Sequence, residues 1–199
     1  MKRKIIKAAV CAAVMAFTLF GSVCPVDHHF MRETSVTASA EAAIWDGTED
    51  TSWYYREHDV VVSENGERIA IFNIRTAEEL AGLAKLVRNG NNMKNTMINL
   101  VSDVTLNDTT NFDNWDEQPP ANNWTAIGAV PIEAPNVNVV MTIQPECRNT
   151  VFAGMFNGNG HTISGIYSLH HNYAGLFART SGIITNVIVK DSYIQCINT

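Results

Sequence analysis

The chain has 199 residues, 46% of them hydrophobic, with 14 basic and 20 acidic side chains and a net charge of −6. Without its first 40 residues it keeps nine basic and 18 acidic groups, a charge near −9 over 159 residues. That length suffices for one domain with a continuous core, and the charge disfavours nucleic acid and anionic membranes, because no basic face exists to displace phosphate counterions.

Met1-Lys2-Arg3-Lys4 precedes an apolar run from Ile5 to Phe20, broken only by Lys7 and Thr18, with Gly21 and Pro25 after it. A basic stretch feeding an apolar one is the pattern of a secretory signal peptide, and Ala38-Ser39-Ala40 supplies a small-residue cleavage site before Glu41. The run is short and lysine-interrupted for a bilayer span. Its distance from Ala40 keeps an uncleaved anchor as the alternative. Gly21-Ser22-Val23 before Cys24 fits a lipidation site poorly. The expected product is therefore secreted or displayed at the cell surface, without membrane contact once cleaved. It divides into a signal peptide (1–40), an N-terminal strand and hairpin region (41–75) and a main body (76–199).

The segment from Glu41 to Asp59 is rich in Trp45, Trp53, Tyr54 and Tyr55 among acids, without periodicity. Val60-Val61-Val62 and Ile69-Ala70-Ile71 flank Asn65-Gly66, a dipeptide able to adopt positive φ twice, which predicts a hairpin. Thr76-Ala77-Glu78-Glu79 reads as a capping box. Leu80, Leu83, Ala84 and Val87 then recur at helical spacing, and Asn89-Gly90 ends the helix. Thr96–Leu106 predicts two short strands meeting at a corner around Ser102-Asp103. A polar loop from Asn107 to Asn123 holds Phe112, Trp115 and Pro119-Pro120. Strand character returns at Trp124–Gly128 and in the apolar run Val137–Ile143.

The stretch from Phe152 to Val189 reads as a unit written twice with an offset of 21 residues. Phe152-Ala153-Gly154-Met155-Phe156 lies over Tyr173-Ala174-Gly175-Leu176-Phe177, Ile163 over Ile184 and Ile166 over Val187. Such a period, with small residues at turns and β-branched residues between, predicts an all-β solenoid in which each copy is one coil and equivalent side chains form columns. The first copy contains Asn157-Gly158-Asn159-Gly160, a turn needing positive φ, before a strand at Thr162–Tyr167. The helix at Thr76–Asn89 would cover the open apolar end of the first coil. Ile194-Gln195-Cys196 starts a third copy in this register, which implies further repeats, a covering chain or edge-to-edge self-association. Cys147 and Cys196 are the two cysteines after residue 40, and their pairing stays open.

These pieces together resemble the bacterial surface proteins that carry GLUG-type repeats. The signature reads Gly175-Leu176-Phe177-Ala178 here, with Ala where Gly is expected, and Gly154-Met155-Phe156-Asn157 earlier. Thr76-Ala77-Glu78-Glu79-Leu80, Leu100–Leu106, Trp124-Thr125-Ala126-Ile127-Gly128 and Phe156–Ile163 follow the family's order. The resemblance implies a right-handed parallel β-helix with an N-terminal capping α-helix, acting as a non-enzymatic stalk or adhesion module. It brings no catalytic residue and no cofactor.

Acidic candidates for a carbohydrate-active enzyme, the competing reading, are Asp108, Asp113, Asp116 and Glu117. They lack the central glycine of a calcium loop and read as a solvated surface. His161, His170 and His171 have no third ligand in view and read as turn residues. Trp45, Trp53, Tyr54, Tyr55, Trp115 and Trp124 offer stacking platforms for sugars, with plain packing as the competing reading; Trp53, Tyr55, Trp115 and Trp124 are the candidate contacts to extracellular glycans or to a host or cell-wall surface.

Overall fold

The structure is a computed structural model that describes residues 43–129, 150–170 and 173–196. The signal segment, the run 137–143, Cys147 and His171 lie outside the described residues.

After a short 3-10 turn at Ser52–Tyr55 come β1 (Asp59–Val62) and β2 (Arg68–Ile74), then α1 (Ala77–Arg88), β3 (Thr96–Leu100) and β4 (Val104–Thr105). The pair β1–β2 is the predicted antiparallel hairpin, with Val61 opposite Ile69. In its turn Gly66 alone is left-handed, at φ 80°, so one glycine rather than an Asn-Gly pair reverses the chain. The capping box forms in part. Glu79 N–H donates to Thr76 Oγ1 at 3.2 Å, while the Glu79 carboxylate accepts from the Arg75 amide at 2.8 Å and pairs with Arg56 at 3.0 Å. The predicted stripe of Leu80, Leu83, Ala84 and Val87 is buried in one core with Ile74, Ile98 and Leu100.

Six more strands follow a second 3-10 turn at Phe112–Asn114: β5 (Met155–Asn157), β6 (Thr162–Ser164), β7 (Tyr167–His170), β8 (Ile183–Thr185), β9 (Ile188–Lys190) and β10 (Tyr193–Cys196). They complete a five-stranded sheet in the order β1-β2-β3-β5-β8, a three-stranded sheet β4-β6-β9 and a two-stranded sheet β10-β7. All pairings except β1–β2 are parallel.

The all-β, right-handed parallel β-helix expected from the sequence is corrected by this topology. The described residues form a mixed α/β arrangement, with an antiparallel hairpin in the main sheet, α1 interleaved between two parallel strands and small parallel sheets beside it; it is not a solenoid. The columns fail with it. Phe156 lies opposite Ile184, 28 positions on, rather than Phe177. Ile163 lies opposite Val189, 26 positions on, rather than Ile184, and Cys196 meets His170 rather than the register of Gly154 and Gly175. The Tyr173-Ala174-Gly175-Leu176-Phe177 copy forms no strand. Phe177 instead bridges to Ile127 and packs its ring on those of Phe152 and Phe156, at centroid distances of 5.3 and 5.4 Å. Trp124–Gly128 contributes only that bridge. The strand expected at Thr162–Tyr167 divides into β6 and β7.

The true repeat is a tripeptide. Ile71-Phe72-Asn73, Met97-Ile98-Asn99, Met155-Phe156-Asn157 and Ile183-Ile184-Thr185 stand in register on β2, β3, β5 and β8. Strand alternation buries the middle residues Phe72, Ile98 and Phe156, leaves Ile184 of the edge strand part-exposed, and turns the flanking pairs outward. The outward amides partner one another: Asn99 donates to Asn73 at 3.2 Å, and Asn186 to Asn157 at 3.0 Å.

Asp103, in the predicted corner, ties β3–β4 to β6. One carboxylate oxygen accepts from the Thr162 amide at 3.0 Å and lies 3.1 Å from His161 Nδ1. The Thr162 N–H first, then His161 and the more distant Lys190, hold this carboxyl below its usual range. A folded value below the unfolded one stabilises fully above the unfolded carboxylate range and is lost as pH falls through the folded value. Thermal melts should therefore lose stability below about pH 4, and Asp103→Asn should weaken the protein at neutral pH while flattening that acid loss.

Candidate functional site

A groove of about 500 Å³ lies between the N-terminal segment and the 107–122 loop. Ile44, Trp45 and Asp46 form one wall; Asp108, Asn111, Trp115, Gln118 and Pro119-Pro120 form the other. The two walls are far apart in sequence, and two asparagines join them. Buried Asn107 donates to the carbonyls of Asn122 and Gly165, both at 2.9 Å, and accepts the Asn122 amide at 3.0 Å. The Asn122 side chain reaches the other way, donating to the Trp45 carbonyl at 2.7 Å and to that of Leu106 at 3.2 Å. The loop is thus closed at its own base and fastened to the opposite wall. The Trp45 amide in turn donates to Thr105 on β4 at 3.0 Å, so the rigid sheet positions the groove.

The same local device sits on each wall. Asp46 Oδ1 accepts both the amide and the hydroxyl of Thr48, at 2.8 and 2.6 Å. Asp108 Oδ1 accepts both from Thr110, at 3.0 and 2.6 Å. The threonine hydroxyl and then its amide hold each carboxyl below its ordinary range, so both are anionic at neutral pH. No Lys, Arg or His lines the groove.

Three indole N–H groups are spent on backbone carbonyls: Trp45 on Thr48 at 2.7 Å, Trp53 on Glu79 at 3.0 Å and Trp124 on Leu176 at 3.3 Å. Trp115 is buried edge-on against Tyr167, with centroids 6.0 Å apart, and its N–H has no acceptor among the described residues. His170 Nδ1 is the one fully buried, unpartnered side-chain nitrogen or oxygen named among them. The side-chain amides of Asn111 and Gln118 also hold no partner there.

Of the four candidate contacts only Trp115 lines this groove, together with Trp45 from the wider set of aromatics. Trp53 packs in the core against Tyr54 and Phe72, and Trp124 is buried edge-on against Trp45. Tyr55 is 76% exposed and packs on Tyr54, away from the groove. Asp113, Asp116 and Glu117 are exposed and line no concavity described here. Among the described residues no three His, Cys, Asp or Glu side chains gather as a metal site would require. Cys196 is an exposed free thiol. Sequence reasoning missed Asp46, Asn111 and Gln118, as well as Asn107 and Asn122 that hold them; the twin Asp-x-Thr spacing at Asp46–Thr48 and Asp108–Thr110 was the available signal.

A second concavity of about 360 Å³ lies beside Trp53, Arg56, His58, Phe72 and Arg75. Its arginine at position 56 is already engaged by Glu79 and Asp50, and His58 lies on the Phe72 ring at 4.4 Å.

No family model, curated protein or solved structure matches the chain.

Proposed function

We propose that the protein is an exported, non-enzymatic surface module that binds neutral glycans in the Trp45–Trp115 groove. The observation that carries this reading is a groove lined by two carboxylates both held anionic, by the unpartnered side-chain amides of Asn111 and Gln118 and by Trp115. Sugar hydroxyls donate to carboxylates and accept from N–H groups, so this mixed set meets them on both counts. With two carboxylates and no cation in the lining, an acidic polysaccharide would be repelled.

One feature favours binding over hydrolysis. Glycoside cleavage needs one carboxylic acid kept protonated beside a second that is ionised. Asp46 and Asp108 are both pushed toward the ionised form, by the same hydroxyl and amide contacts. Export rests on the basic and apolar N-terminal pattern, and the surface assignment on the motif order resembling GLUG-type proteins; among the described residues no helix is long and apolar enough to cross a membrane.

A glycan array carrying neutral and acidic polysaccharides tests the reading. Gln118→Ala removes a side chain with no protein partner, so the melting temperature should hold while affinity for the bound neutral glycan falls about tenfold, one hydrogen bond's worth. A blank neutral panel would end the proposal, and so would release of new reducing ends.

A further inference from the structure

The chain holds four Asn-Gly pairs, at 65–66, 89–90, 157–158 and 159–160. In such a pair the asparagine side chain lies next to a backbone nitrogen that no Cβ shields, so the nitrogen can reach the side-chain carbonyl carbon. Whether it does so depends on the fold. The side chain must be free to turn, and the glycine N–H must leave its acceptor.

Two of the four are locked. Asn157 Oδ1 accepts the Asn159 amide and the Asn186 side chain, both at 3.0 Å, while its Nδ2 donates to Asn159 Oδ1 at 2.7 Å. Asn159 in turn donates to the Leu100 carbonyl at 2.8 Å. The following glycines are tied to a neighbouring segment, Gly158 to Thr185 and Gly160 to Asn186, each at 2.9 Å. The side chain of Asn89 has no partner among the described residues, but its backbone is the end of α1. Its own amide donates to Lys85 at 2.9 Å, that of Gly90 to Val87 and that of Asn91 to Leu86, both at 3.0 Å. Freeing it means unwinding a turn whose Leu86 and Val87 are buried.

Asn65 stands apart at the tip of the β1–β2 hairpin. Glu64, Asn65, Gly66 and Glu67 are all exposed, and the Asn65 side chain has no partner among the described residues. A Cβ placed on Gly66 would meet nothing within 4 Å. One bond holds the Gly66 amide, to the Ser63 carbonyl at 2.9 Å. The base of the turn is fastened separately, by the Ser63 amide on the Glu67 carbonyl at 2.9 Å and the Glu67 amide on Ser63 Oγ at 3.0 Å. The tip can therefore open while the strands stay paired, and loop tips open at least cost.

We infer that Asn65 is a site of spontaneous modification, where the folded chain converts its side-chain amide into a carboxylate ahead of every other Asn-Gly pair. The Gly66 nitrogen attacks the Asn65 Cγ and forms a cyclic imide. The Cγ–Nδ2 bond breaks, and ammonia leaves with the proton that the Gly66 nitrogen gives up. Water then opens the ring. Breaking the bond from nitrogen to Cγ gives aspartate; breaking the bond to the main-chain carbonyl carbon gives isoaspartate, with one more carbon in the backbone of the turn. Nothing is oxidised or reduced, and water is the only co-reactant. Either product sets a new negative charge beside Glu64 and Glu67.

Incubation of the folded chain for days in mildly alkaline buffer, followed by tryptic peptide mapping, tests this. Cleavage after Lys and Arg places the pairs on separate fragments, 57–68, 89–94 and 149–179. The mass gain of exchanging NH₂ for OH should arise first in 57–68 and last in 149–179, with aspartyl and isoaspartyl forms resolved by chromatography. In urea, where only local sequence acts, all three fragments should gain it at similar rates. Asn65→Gln should melt as the unaltered protein does and leave 57–68 unchanged. An unmodified 57–68 in the folded chain, a gain that arises first in another fragment, or equal rates in folded and unfolded protein would each overturn the inference.

Discussion

Replacing Gly82 by alanine should destabilise the protein by about 2–4 kcal/mol, although in an exposed helix interior the same change gains about 1 kcal/mol. Gly82 lies in the middle of α1 with ordinary helical backbone, so its lack of a side chain is a matter of space. An added Cβ would overlap the Asp50 carbonyl and come within 3.1 Å of the Thr51 amide nitrogen. Those atoms are backbone and cannot swing aside. They are also fastened: the Asp50 amide donates to Glu78 at 2.8 Å, the Trp53 indole to Glu79, and Glu49 bridges Lys85 and Arg88 at 3.1 and 2.7 Å. Burial tends to raise the Glu49 carboxyl, but hydrogen bonds and charge from Arg88 and Lys85 outweigh it, and the net shift is downward. A methyl at position 82 would prise this whole segment from the helix and expose Trp53. Urea denaturation measures the loss. Gly90→Ala is the control, for Gly90 has open space around it but a φ of 95°, so it should cost only about 1 kcal/mol. A stabilised Gly82→Ala would contradict the packing of residues 49–56 on α1.

The second large effect belongs to Asn107. Asn107→Ala removes three hydrogen bonds at once and strands the Gly165 carbonyl beside it; Gly165 approaches so closely that its own Cβ would lie 2.7 Å from the Asn107 backbone. Leaving buried donors and acceptors unpaired costs about 1–3 kcal/mol each, so a total loss of about 3 kcal/mol is expected after partial relaxation. Stability and glycan affinity should fall together, because the loop base and the Asn122 bridge to Trp45 share this residue. Gln118→Ala should lower affinity alone. Denaturant titration beside binding isotherms for the two variants separates positioning from contact.

Local signals were readable in the sequence and long-range pairing was not. The helix was written in Thr76, in the spacing of Leu80 to Val87 and in Gly90; the hairpin, the β3–β4 corner and the left-handed Asn159-Gly160 turn were equally local. Register failed because strands of three residues constrain it weakly, and Phe152–Phe156 resembles Tyr173–Phe177 more closely than the Thr180–Ile184 stretch it pairs with. Glycine held the missing clue. Gly182 lies over Gly154, where a Cβ would overlap the carbonyl, and Phe152 pairs with Thr180 at the same offset of 28. Two glycines at a close approach of backbones fix a register better than two aromatics that can pack anywhere in a core. The groove was least legible, since Asp46 and Asp108 meet only through an asparagine whose partners lie 15, 16 and 77 positions away.

That asparagine clasp makes the 107–122 loop an exchangeable cassette. Its two ends sit at hydrogen-bonding distance and its base is buried, so its exposed residues, Asn111 and Gln118 among them, can vary while Trp115 stays seated on Tyr167. A scaffold of this sort separates the part that must fold from the part that chooses what is held, and grafted loops bearing other side chains would inherit the same seat.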